Sequence, residues 1–235
     1  MMCSRLRRWI WAAALVVFAF GAPTAGFSGD GYSPRDHERP RRQRTDYIIL
    51  HTTEAPVRGS YEKLFHNGEC HFLVDRSGRV YRIIRRDKVA YHAGLSMWNG
   101  VQNIDNYSIG IEIVGSYNST VTESQCAALK QLVGNLKHAY GISDDRVLTH
   151  SMVAYGAGNK WYPKPHRGRK RCGMLFAERS LRAYIGLYSQ PAYDPDVAAG
   201  RLTVGDAYLA QMLYPKPSPA GRLASLSPLG CQSRR

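Results

Sequence analysis

The chain has 235 residues, 44% of them hydrophobic, and 32 Lys and Arg against 18 Asp and Glu give a formal net charge of +14. Length and apolar content suit one medium globular domain with extensions, and no internal repeat is evident. The charge raises encounter rates with polyanions, but no recognition helix, stacking-aromatic signature or nucleic-acid zinc finger accompanies it, which argues against a nucleic-acid binder.

Residues 1–26 combine a basic stretch (Arg5-Leu-Arg-Arg8), an apolar core (9–20) and small residues, the pattern of an export signal. The core is about a dozen residues, short of the roughly 20 that span a bilayer, so no stable membrane span is expected in the mature form. Without Arg5, Arg7 and Arg8 the charge falls from +14 to +11. The expectation is an exported protein, periplasmic or extracellular and associated with the cell wall. Residues 27–44 read as a basic linker, with the run 35–44 as solvated charge.

The domain is expected over 45–188. Tyr47-Ile-Ile-Leu50 is short and fully apolar, which suits a central strand buried on both faces, with His51 at its exit. A hairpin is read over 71–84 around Asp75-Arg-Ser-Gly78, and the alternating run 108–114 is a further strand carrying Glu112. Thr122-x-x-Gln125 forms a capping box ahead of Leu129, Leu132, Val133 and Leu136, predicting a helix that stops at Gly141. Val147-Leu-Thr149 then delivers His150, and 174–188 predicts a last amphipathic helix. Strands alternating with helices imply an α/β fold, one mixed β-sheet flanked by helices. Residues 189–235, rich in Pro, Gly, Ser and Ala, read as a loosely packed or disordered tail.

His51, Glu112, His150, Lys170 and Cys172 supply two imidazoles, a thiolate, a carboxylate and an ammonium. Together these can bind a metal, activate a water and stabilise an oxyanion. Taken singly, each has a plainer reading: a strand-end histidine as a satisfied core residue, Glu112 as a structural acid, Lys170 as one charge in a basic run. An exported chain is permitted disulfides. If Cys172 holds a metal, Cys70, Cys126 and Cys231 can form at most one internal bridge, and Cys70 to Cys126 is preferred because Cys231 lies in the expected tail.

The landmarks Ile49-Leu-His-Thr-Thr53, His71-Phe-Leu-Val-Asp-Arg-Ser-Gly78, Tyr91-His-Ala-Gly94, Tyr107-Ser-Ile-Gly-Ile-Glu112, Thr149-His150 and Arg169-Lys-Arg-Cys172 occur in one order. In that order the chain resembles zinc-dependent N-acetylmuramoyl-L-alanine amidases of the second amidase class, related to phage lysozyme-type amidases and peptidoglycan recognition proteins. The resemblance covers roughly 45–188 and implies their fold and a Zn2+ cofactor held by His51, His150 and Cys172, where some members use an aspartate in place of the cysteine. It further implies Glu112 as general base and Lys170 as oxyanion stabiliser. A tyrosine that assists the chemistry in some branches is replaced here by Cys70. The implied substrate is peptidoglycan or its muropeptides, cut between N-acetylmuramic acid and L-alanine by a monomer. The alternative is a noncatalytic peptidoglycan-binding protein of the same fold.

His92 is expected to line the substrate groove, and His71 either to support the site from behind the ligands or to be structural. The His150 to Cys172 interval, 22 residues, is longer than usual for the family because 155–166 is inserted. That insertion either walls the substrate cleft, with Trp161 as a candidate substrate contact, or is a surface excursion, and it carries His166 as a minor rival ligand.

Overall fold

The computed structural model describes residues 31–215 and 231–232; the signal-like segment 1–26 lies outside the described residues. The first half of the chain forms β1 (Tyr47–Thr52), α1 (Val57–Asn67), β2 (Phe72–Val74), β3 (Val80–Arg82), β4 (Met97–Trp98), β5 (Val101–Gln102) and β6 (Ser108–Ile113). There follow β7 (Val121–Thr122), α2 (Glu123–Tyr140), β8 (Val147–Thr149), α3 (His150–Val153), β9 (His166–Arg167), α4 (Arg179–Tyr184), α5 (Pro195–Ala198), β10 (Thr203–Val204), α6 (Ala207–Leu213) and β11 (Cys231–Gln232).

The main sheet runs β3-β2-β6-β1-β8. Its neighbours are parallel except for β3, which is antiparallel to β2 across the predicted hairpin. In β6 the alternation Ser-Ile-Gly-Ile-Glu-Ile sorts the two faces. Ile109, Ile111 and Ile113 pack on the α2 side with Leu129, Leu132, Val133 and Leu136, and each such burial stabilises by roughly 1.5–3 kcal/mol. Ser108, Gly110 and Glu112 are left for the opposite face, where the polar groups gather. The helix α2 is framed as its sequence predicts. Thr122 and Gln125 form the reciprocal capping box, and Gly141, at φ 65°, ends the helix in the left-handed conformation that favours glycine.

Four expectations are corrected. The expected linker is docked from residue 31 onward: Asp36 is buried and paired with Lys88 and Arg85, and Arg42 donates to the carbonyls of Lys88 and Arg86. Charge that looked solvated is matched to partners more than 40 residues away.

Residues 189–215 are likewise packed rather than loose. Leu209, Leu213 and Tyr214 join Tyr47, Ile49, Leu148 and Met152 in the core on the face away from α2. Asp194 and Asp196 are buried against the Arg167 guanidinium at 2.5 and 2.9 Å. The helix expected over 174–188 is split, because Glu178 takes an extended backbone between a 3-10 turn (Met174–Ala177) and α4. Finally, Cys70 is a free buried thiol whereas Cys126 is disulfide-bonded, so the preferred Cys70 to Cys126 bridge does not form. The strand β11, which begins at Cys231, pairs with β7 just ahead of the helix that carries Cys126. Among the described residues no helix is long and apolar enough to cross a membrane.

Candidate metal centre and active site

The register of β1 on β6 sets His51 directly beside Glu112, on the polar face of the sheet. On the other side of β1, β8 pairs through Leu50 to Thr149, so the next residue, His150, stands beside His51 at the start of α3. Thr149 fixes that start, its Oγ1 accepting the Met152 N–H.

Cys172 arrives from a loop that is sewn onto the end of β1. The Thr52 N–H donates to Cys172 Sγ (3.3 Å), the Gly173 N–H to Thr52 Oγ1 (2.8 Å), and the Ser151 N–H to the Cys172 carbonyl (3.1 Å). Gly173, at φ 72°, is required here, since a Cβ would collide with the Leu50 carbonyl.

Three donor atoms converge. His51 Nδ1 lies 3.1 Å from His150 Nδ1 and 3.7 Å from Cys172 Sγ, and the three lie within 4.8 Å of one another. Tetrahedral zinc, bound at about 2.0–2.1 Å to nitrogen and about 2.3 Å to sulfur, asks for separations of roughly 3.3 Å (N to N) and 3.6 Å (N to S). The two separations from His51 match such an ion, and all three donors lie close enough together to share one. A second observation agrees: Glu112 Oε1 is 3.7 Å from His51 Nδ1, while its buried Oε2 has no hydrogen-bond partner among the described residues. An orphaned carboxylate oxygen is costly unless a cation or a reacting water faces it.

Burial dominates the proton chemistry. It drives His51 well below the usual imidazole range, aided by His150 and His92, and takes His150 down to about 4 with Lys170 and Arg169 adding to the shift. Both are therefore neutral and offer a lone pair. Burial raises Glu112 to about 8, with Glu69 contributing, and pushes the Cys172 thiol up to about 12, with the Glu112 carboxylate adding to it. A thiol held that high ionises only with a cation beside it, so metal binding must release a proton.

The cluster opens into a groove of about 440 Å³ whose walls include Glu54, Lys63, Glu69, Leu95, Arg169 and Lys170. Lys170 is exposed on this wall. His92 is among the residues that line the groove, though its side chain has no exposed surface and sits behind His51.

Trp161, 76% exposed, is not among the groove residues. Its loop is closed at the base by paired backbone bonds between Gly156 and His166, which turns it outward. His166 stacks on Tyr162 and stays apart from the ligand cluster. His71 is structural: its Nδ1 accepts the Gly110 N–H, its Nε2 faces the Lys88 carbonyl at 2.9 Å, and burial with the nearby Arg42 lowers it to about 3.

Sequence reasoning missed the buried Asp105 and Arg167, which hold the site's loops from behind. Asp105, just ahead of β6, accepts the N–H groups of His92 and Ala93. Arg167 bonds the carbonyls of Val153 and Met97. Neither carried a distinguishing signal in the sequence: Asp105 sits between Ile104 and Asn106, and Arg167 opens the basic run 167–171.

Comparison with known proteins gives the family and the fold. The family described as N-acetylmuramoyl-L-alanine amidase matches residues 41–165, a span that ends before Lys170 and Cys172. The chain is 26% identical over 144 residues to the 1,6-anhydro-N-acetylmuramyl-L-alanine amidase AmpD of Haemophilus influenzae, covering 52% of this chain and 78% of that protein. To AmpD of Enterobacter cloacae it is 34% identical over 112 residues, covering 46% of this chain and 59% of that protein, so it spans little more than half of that relative. The crystal structure of AmpDh3 from Pseudomonas aeruginosa shares the fold, with a TM-score of 0.53 and 22% identity over 74% of this chain and 85% of that one.

Proposed function

The chain belongs to the N-acetylmuramoyl-L-alanine amidase family, and on that premise we propose that it is a zinc-dependent hydrolase of the amide joining N-acetylmuramic acid to L-alanine in muropeptides. The carrying observation is the orphaned Glu112 carboxylate oxygen beside three convergent donors. His51, His150 and Cys172 would hold the ion, which when bound supplies Lewis-acid polarisation of the amide carbonyl and of the attacking water.

The remaining steps belong to this chain's own residues. Glu112 is placed to take a proton from the attacking water and pass it to the departing amine of L-alanine; burial raises it to about 8 in the metal-free site, and with a cation held beside it, it shifts back down toward the ionised form that accepts the proton. Lys170 faces the groove and offsets the negative charge that develops on the carbonyl oxygen. Cys70 is buried and its thiol lies well above its usual range, so it adds no acid in place of the tyrosine found in some branches.

Export is part of the proposal. The segment 1–26 supports it, as does the disulfide at Cys126, which suits an oxidising compartment. The names of the relatives favour muropeptides with a 1,6-anhydro sugar as substrate.

The test is product mass. The protein is incubated with a purified anhydromuramyl peptide and, separately, with intact sacculi. A free peptide beginning with L-alanine is expected from the muropeptide. Binding without any cleavage would instead support the noncatalytic alternative.

A further inference from the structure

Both histidine donors are gripped from behind by the same short turn. When His51 and His150 present Nδ1 to an ion, each must carry its proton on Nε2 and needs an acceptor there. His51 Nε2 finds His92 Nδ1 at 3.1 Å, and His150 Nε2 finds the Ala93 carbonyl at 3.2 Å. Resting on the zinc reading above, we propose that residues 91–94 position both histidine ligands, with His92 fixing His51 in the tautomer that coordinates through Nδ1.

Every proton in this arrangement has a destination. His92 can accept from His51 only if its own proton sits on Nε2. That nitrogen lies 3.1 Å from Ser108 Oγ and 3.7 Å from Asp105 Oδ1, both acceptors. The Ser108 hydroxyl is in turn committed as donor to the Ile104 carbonyl at 2.7 Å, which leaves its lone pairs for His92.

The turn itself is held by Asp105, whose Oδ1 accepts the His92 N–H at 2.9 Å and the Ala93 N–H at 2.7 Å. Gly110 explains the close approach. It lies in mid-strand on β6, where a Cβ would collide with the His92 ring. A carbonyl or carboxylate commonly orients a metal-binding histidine, and loss of such a partner typically weakens metal binding about 10–100-fold. Here a second, buried imidazole takes that place for His51.

The experiment measures zinc dissociation constants of the full-length chain by competition with a chromophoric chelator, together with the unfolding midpoint of the metal-free protein. His92→Ala is expected to bind zinc about 10–100-fold more weakly than wild type. His92→Asn, whose amide oxygen can occupy the Nδ1 position, should restore most of that affinity. A generic packing role would not distinguish the two in this way.

Ser108→Ala, which frees His92 to move its proton to Nδ1 against the His51 N–H, should give a smaller loss with an almost unchanged metal-free midpoint. It carries the test if His92→Ala does not fold. Wild-type affinity in His92→Ala, or in Ser108→Ala should the former not fold, overturns the proposal. Failure of the wild type itself to bind zinc would sink the zinc reading, and this proposal with it.

Discussion

The two halves of the site are built by different means. His51 and Glu112 stand side by side on adjacent central strands, their relation set by the backbone ladder of β1 and β6. Lys170 and Cys172 ride on a loop with no such ladder, held by Gly173 against β1 and by side chains of the C-terminal segment. Arg171 pairs with Asp206 at 2.7 Å, and Arg167 is clamped between Asp194 and Asp196. A ladder fixes position without regard to side-chain identity, whereas a loop is only as well placed as the contacts around it. Loss of the strand-borne Glu112 carboxylate should therefore strike chemistry with the metal retained, and damage to the anchors of the Cys172 loop should strike stability and metal retention.

The largest separation of the two comes from Glu112→Gln. It removes the base without disturbing the ladder, so kcat should fall about 10²–10⁴-fold while zinc content by elemental analysis stays at the wild-type level. In the metal-free protein the same change should raise stability at high pH. A folded-state pKa near 8 against 4.5 unfolded means that ionising Glu112 costs folding energy as pH rises through that window. Denaturant unfolding above pH 8 reads that sign.

In the other half, Arg167→Met removes the cation that buried Asp194 pairs with and one of the two that Asp196 holds, Arg201 at 2.7 Å being the other. Stability should fall by about 3–5 kcal/mol in denaturant unfolding, the usual result of breaking a buried pair by removing one partner. Gly173→Ala should cost about 1–3 kcal/mol through strain at φ 72° and should weaken zinc binding by displacing Cys172 from β1. If instead it lowered kcat with metal binding intact, the division between the halves would fail.

This contrast also accounts for what could be read from sequence. The β1 run, the alternation in β6 and the capping box of α2 are local patterns, and they placed His51, Glu112 and the helix boundaries directly. The docking of 31–44 and 189–215 was not legible, because it depends on charge partners far apart: Asp36 with Lys88, Arg167 with Asp194. A composition reading takes such charges for solvent-facing ones. The role of residues 91–94 was hidden for a similar reason. It appears only when β1, β6 and α3 bring His51 and His150 to the same turn.

Smaller effects sharpen the picture. His71 is buried and neutral with a pKa of about 3, against about 6.5 when unfolded. The unfolded chain binds the extra proton between these values, so the contribution of His71 to stability is complete above pH 6.5 and is lost as pH falls toward 3, by at most about 1.4 kcal/mol per pH unit. Unfolding midpoints of the metal-free protein across that range should show the slope, and His71→Asn should make it shallower, leaving the share of His51, His92 and His150. Trp161→Ala should change cleavage of a soluble muropeptide by no more than about twofold, because the side chain lies outside the groove. A large loss would mean that the inserted loop reaches the substrate.

The central claim is that one ion, shared between the strand-borne and loop-borne halves, makes the site active. It is tested most directly by adding zinc back to the chelator-stripped, full-length protein while following muropeptide cleavage. A linear rise from no activity to a plateau at one equivalent is predicted, and full activity in the stripped protein would contradict it.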